Sequence, residues 1–104
     1  MPDSPALESL ATPVAWTDGD GRLTGCNPAF ARWLGVSARR LVGQTLDELD
    51  AEDGRLADLA ARLDEGDAAV LVRRTRMRSP AGSEHFADLW LSREADGGLR
   101  LEAH

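Results

Sequence analysis

The chain has 104 residues, 42% of them hydrophobic, enough for one domain with one modest core. Its net charge of −6 argues against general nucleic-acid binding, and its single cysteine, Cys26, excludes an internal disulfide. No apolar run approaches the roughly 20 residues of a membrane-spanning helix, and Met1–Pro5 lacks the charge and apolar stretch of a signal peptide. A cytoplasmic location with no membrane partner is therefore expected.

Taken in order, Leu7, Leu10 and Ala11 share one face of a short amphipathic turn that Pro13 ends. A turn this short must dock on its own domain or on a partner. Val14–Thr17 reads as a strand, and the Asp18-Gly19-Asp20-Gly21 run as a tight turn. That acidic loop lacks the distal glutamate and further oxygen ligands of a calcium loop, so no metal site is assigned. Residues 22–26 form the return strand. Asn27 then offers a side-chain cap, Pro28 sits at the first helical position, and Phe30, Trp33 and Leu34 share one helical face. Gly35 stops this helix. Ser37 predicts a cap for a second turn over 38–42, and Thr45 with Glu48 matches a capping box. Leu56, Leu59, Ala60 and Leu63 predict the longest helix, over 53–65, ending at Gly66.

From residue 68 the period changes to that of strands. Residues 70–78, 84–93 and 99–103 are predicted strands, the last two joined by a turn at Asp96-Gly97-Gly98. The order predicts an α+β fold: a five-stranded antiparallel sheet, short helices on one face and an N-terminal helical turn. Residues 1–12 are expected to flank a single core domain over 13–104. The last strand reaches the C-terminus with no closing element, which predicts a piece of a longer chain. On the strand over 84–93, Phe86 and Trp90 point to one side and Ala87, Leu89 and Leu91 to the other. Both faces then need cover, one from the helices and the other from the N-terminal turn, a second subunit or both. Leu7, Leu10, Leu89 and Leu91 are expected at a dimer interface. Phe30, Trp33, Leu34, Leu59, Leu63 and Trp90 are expected to line the core or a pocket.

Candidate chemical groups have plain structural readings. Cys26 has no resolving partner and reads as a packed, inert thiol. His85 reads as a surface residue at a loop–strand junction. Arg74, Arg76 and Arg78 are expected on one side of their strand and Arg73 on the other, with Glu84, Asp88 and Glu94 available as cross-strand partners. No nucleophile–base arrangement, phosphate loop or metal-ligand cluster is present, so no catalytic residue is assigned.

The order strand, Asp-Gly turn, strand, Asn27-Pro28-Ala29-Phe30, Leu34-Gly35-Val36-Ser37 and Leu41-Val42-Gly43-Gln44-Thr45-Leu46 resembles the PAS sensory family. The wording is most similar to the N-terminal PAS domain of nitrogen-regulation sensor histidine kinases. This resemblance implies the PAS fold and a regulatory, homodimerising module with kinase domains C-terminal in the parent chain. It implies no enzyme activity for the chain itself. Other members bind flavin, haem or a metabolite. The helical region from Gly43 to Gly66 has none of the reactive cysteine of flavin-binding relatives, and residues 53–65 have no axial haem ligand. The expectation is therefore a cofactor-free domain, with ligand sensing as the alternative.

Overall fold

The strands fall where the alternating pattern put them. The computed structural model describes residues 12–52 and 54–104. The amphipathic turn carrying Leu7 and Leu10 lies outside the described residues. Strands β1 (Val14–Thr17) and β2 (Leu23–Cys26) form the first hairpin. Four short helices follow: α1 (Pro28–Leu34), α2 (Ala38–Leu41), α3 (Leu46–Leu49) and α4 (Arg55–Ala60). Strands β3 (Val70–Arg78), β4 (Glu84–Arg93) and β5 (Leu99–Ala103) complete one antiparallel sheet of order β2-β1-β5-β4-β3. Arg22 stays outside β2 because it bridges to Thr45 instead.

Local chemistry sets the helix ends. Asn27 caps α1 through a 2.9 Å bond from the Phe30 N–H to its Oδ1, and Gly35 closes the helix in the left-handed region at φ 75°. Thr45 and Glu48 form the expected capping box on α3. Ser37 precedes α2 without making a side-chain cap bond, and α2 ends at Leu41.

The helix expected over 53–65 is shorter, and its two ends show why. At the start, the buried Asp50 carboxylate takes the N–H groups of Glu52 (2.7 Å) and Leu56 (2.8 Å), so capping comes from outside the predicted span. At the end, Arg62 and Leu63 bond to carbonyls three residues back, the tighter pattern of a terminating turn. The Arg93 guanidinium on β4 then donates to the carbonyls of Ala60 and Leu63, and also to that of Gly97. These are orphan carbonyls of a helix end, held by a cation from the sheet. Leu63 remains buried in the core although it is no longer helical. Arg93→Met should lower stability by about 2 kcal/mol, since charge-assisted bonds contribute more than neutral ones. Urea denaturation reads the change, and an unchanged midpoint would show that the clamp is dispensable.

Strand β3 departs from strict alternation. Val72 pairs with Leu89, but Thr75 pairs with Ala87, so three steps on β3 face two on β4. Arg74 sits in this bulge at φ 53°, and the Asp88 carboxylate accepts its N–H at 2.9 Å. The bulge lets Val72, Thr75 and Met77 all face the helices and be buried. Arg76 and Arg78 share one side as expected, opposite Phe86 and Glu84, whereas Arg74 leaves that row because it sits in the bulge. Of the expected acidic partners, Glu84 lies 3.8 Å from Arg76, whereas Asp88 bonds backbone.

Candidate functional site

The helix side of the sheet is the core. Phe30, Leu34, Leu49, Leu56, Met77, Leu89, Leu91 and Leu101 are all fully buried there. Leu89 and Leu91, expected at a dimer interface, thus belong to the core instead. Strand pairing is the reason: Leu91 lies opposite Leu101, and Leu101 opposite Ala15, in one inward row beneath the helices. Trp90 moves the other way. It was expected to line the core with Phe30, but it is 40% exposed on the outer face. Of the remaining expected lining residues, Phe30, Leu34 and Leu63 are buried, while Trp33 and Leu59 are partly buried against the cluster.

The outer face carries a different set of residues. Val14, Glu102, Trp90 and Leu71 form one row across four strands, and Trp16, Arg100 and Ser92 form the next. Phe86 lies on the same face as Trp90, four residues along β4, and is 65% exposed. The Arg100–Glu102 ion pair, at 2.9 Å, sits among these apolar side chains. Glu102 also accepts from His104 at 2.7 Å when that imidazole donates. The result is an aromatic surface interrupted by paired charges, Arg100 with Glu102 and Arg76 with Glu84. The alternation of β4 made the two-sided character legible, but not which face the helices would take.

Where the chain enters and leaves, Asn27 does more than cap a helix. Its Oδ1 also accepts the Val14 N–H at 3.0 Å, and its Nδ2 donates to the Thr12 carbonyl at 2.8 Å. One buried amide therefore joins the start of β1 to the start of α1. Nearby, the Ala103 N–H donates to the Pro13 carbonyl at 2.9 Å. Asp88 and His104 exchange backbone bonds of 3.0 and 2.8 Å. Composition alone gave no sign of these long-range ties. Their signal was a capping asparagine placed directly after a strand.

His85 also differs from its expected surface position. It is partly buried, with its ring edge-on to Trp33 at 6.2 Å, and Trp33 meets Phe30 edge-on at 5.6 Å. Its Nε2 lies 2.9 Å from the Ser83 hydroxyl. Cys26 lies opposite Ala15 and packs against the core, and burial pushes its thiol above the ordinary range. At pH 8 it should alkylate with iodoacetamide more slowly than a free thiol. Labelling as fast as glutathione would show that it is accessible and activated. Among the described residues, no group of three or more His, Cys, Asp and Glu side chains is placed to hold a metal ion. Nor is any described helix long and apolar enough to cross a membrane.

The family model described as the PAS fold matches residues 7–100. The chain belongs to the PAS family. Solved structures share this PAS fold at low sequence identity. A domain of a sensory box sensor histidine kinase/response regulator from Geobacter sulfurreducens superposes with a TM-score of 0.80 at 18% identity, covering 97% of this chain and 90% of that one. The PAS domain of nitrogen regulation protein NR(II) from Vibrio parahaemolyticus gives 0.74 at 19%, covering 100% and 97%. The blue-light activated histidine kinase EL346 from Erythrobacter litoralis gives 0.70 at 19%, covering 97% and 35%. No curated protein matches the chain. Its family is that of the PAS sensory domains.

Proposed function

We propose that this PAS domain is the dimerising sensory module of a cytoplasmic two-component sensor histidine kinase, with nitrogen regulation as its context and kinase domains C-terminal in the parent chain. The observation that carries the dimer is the outer face, where Phe86 and Trp90 are 65% and 40% exposed on one strand. Large aromatics left this open are a liability for a free domain and an asset at an interface. The Arg100–Glu102 pair adds a polar feature that a second copy can meet symmetrically. Support for the nitrogen-regulation context is narrower: the residue wording from Asn27 to Leu46 and a shared fold with the NR(II) domain. Sedimentation velocity across a concentration series tests the dimer. A monomer at high concentration would end this reading.

A second reading, a ligand-sensing PAS domain, is favoured by a cleft of about 280 Å³. Thr45, Asp47 and Arg93 bring polar groups to a lining of glycine and alanine. Native mass spectrometry and a visible spectrum of the protein as purified test it. A stoichiometric bound metabolite or chromophore would favour the sensor over the cofactor-free module.

A further inference from the structure

Strand β3 is one edge of the sheet, and its two halves are treated differently. Its C-terminal half is covered: the Ala51 N–H donates to the Arg76 carbonyl at 3.0 Å, and Asp50 bridges Met77. Among the described residues, no backbone group from outside the sheet bonds residues 70–73, and the Val72 carbonyl accepts the Thr75 hydroxyl at 2.9 Å. Beside this open stretch runs a groove of about 630 Å³, between β3 and α4. Leu59 and Val70 give it apolar wall, and Arg55, Arg62 and Arg73 line it with charge. Glu52 lies 3.5 Å from Arg55. Arg62 and Arg73 have no carboxylate within ion-pair distance among the described residues. With Asp58, three guanidinium groups face two carboxylates among the described residues, a local positive excess on a chain of net charge −6.

We propose that this groove receives an extended acidic segment of a partner protein as an added strand on β3. An open edge offers main-chain donors and acceptors, and the flanking side chains select what pairs with them. Here the partner backbone pairs along residues 70–73, its apolar side chains rest against Leu59 and Val70, and its carboxylates meet Arg62 and Arg73. The bulge at Arg74 ends the regular register, so pairing stops before the covered half of the edge. The same arginines repel basic strands. This surface is separate from the outer face carrying Phe86 and Trp90, so either reading can fail without the other.

The probe is a short fluorescent peptide alternating aspartate and valine, titrated into the purified domain with amide shifts followed by NMR. Two control peptides accompany it, one with lysine for aspartate and one N-methylated at alternate backbone positions. The aspartate peptide should bind and shift amides along residues 70–73 and α4, and the two controls should not bind. Arg62→Glu with Arg73→Glu should weaken it by about tenfold or more, and should let the lysine peptide bind. A circular dichroism melt checks that this variant folds, and Arg62→Gln with Arg73→Gln serves if it does not. Four results would overturn the proposal: no binding, equal binding of the N-methylated peptide, shifts confined to the outer face, or a β3 edge already filled by a second copy.

Discussion

Phe30→Ala should lower the unfolding free energy by about 3–5 kcal/mol, the range for truncating a buried aromatic. Phe30 is fully buried within the core cluster, and its N–H is the one that caps α1 on Asn27. The substitution removes the edge-on contact with Trp33 and leaves a cavity between α1 and the sheet. Domains of this size have total stabilities of roughly 5–15 kcal/mol, so the variant should sit near the limit of folding. Trp33→Ala is the informative comparison. Trp33 is only partly buried, so its loss should cost about 2 kcal/mol, below the range for a fully buried ring. Equilibrium urea unfolding of both variants gives the two values. Equal losses, or a Phe30 effect under about 1 kcal/mol, would mean that α1 does not seat on the core as described.

Replacing both Phe86 and Trp90 by threonine should convert the proposed dimer to monomer while leaving each subunit folded. Threonine keeps the β-branched character that suits a strand, so the change removes apolar contact without weakening β4 itself. Exposed positions of this kind usually alter folding stability by less than about 0.5 kcal/mol apiece. Aromatic residues at the middle of an interface, by contrast, can carry more than 2 kcal/mol of association each. The measurable signature is therefore a split: a large shift in the sedimentation profile with little change in the unfolding midpoint at low concentration. A dimer that survives both substitutions would place the interface elsewhere. The reverse change, Leu91→Thr, should unfold the subunit rather than separate it, because Leu91 belongs to the inward row.

Element order was readable because it rests on short-range chemistry. Alternation, the Asp18–Gly21 turn and the caps at Asn27 and Thr45 each act within a few residues, and each appears where its pattern lies. What the pattern could not supply was long-range. The apolar period from Leu56 to Leu63 continues through the end of α4, because burial and helicity have the same spacing there. The guanidinium that holds the carbonyls at its end comes from Arg93, 30 residues on from Leu63. The arginine run read as plain alternation because nothing local announces a bulge at Arg74. The bulge is held by Asp88 from the neighbouring strand. The facing of β4 was lost for a related reason. Leucines and aromatics are both apolar, so which side receives the helices depends on register with β5 and β3, not on β4 alone. The pattern of β4 alone is therefore compatible with either facing, and the structure buries Leu89 and Leu91 and exposes Trp90.

The ties around Asn27 and Ala103 bear on how such a domain sits within a host protein. Thr12 and Pro13 at one end of the described fold and Ala103 and His104 at the other occupy a single corner. A chain interrupted by this fold would resume almost where it broke off, with only a short gap to span. The fold can thus be threaded between other segments like a side loop on a cord. A pull on the strand arriving at Pro13 reaches the strand departing at Ala103 through one hydrogen bond, without crossing the core.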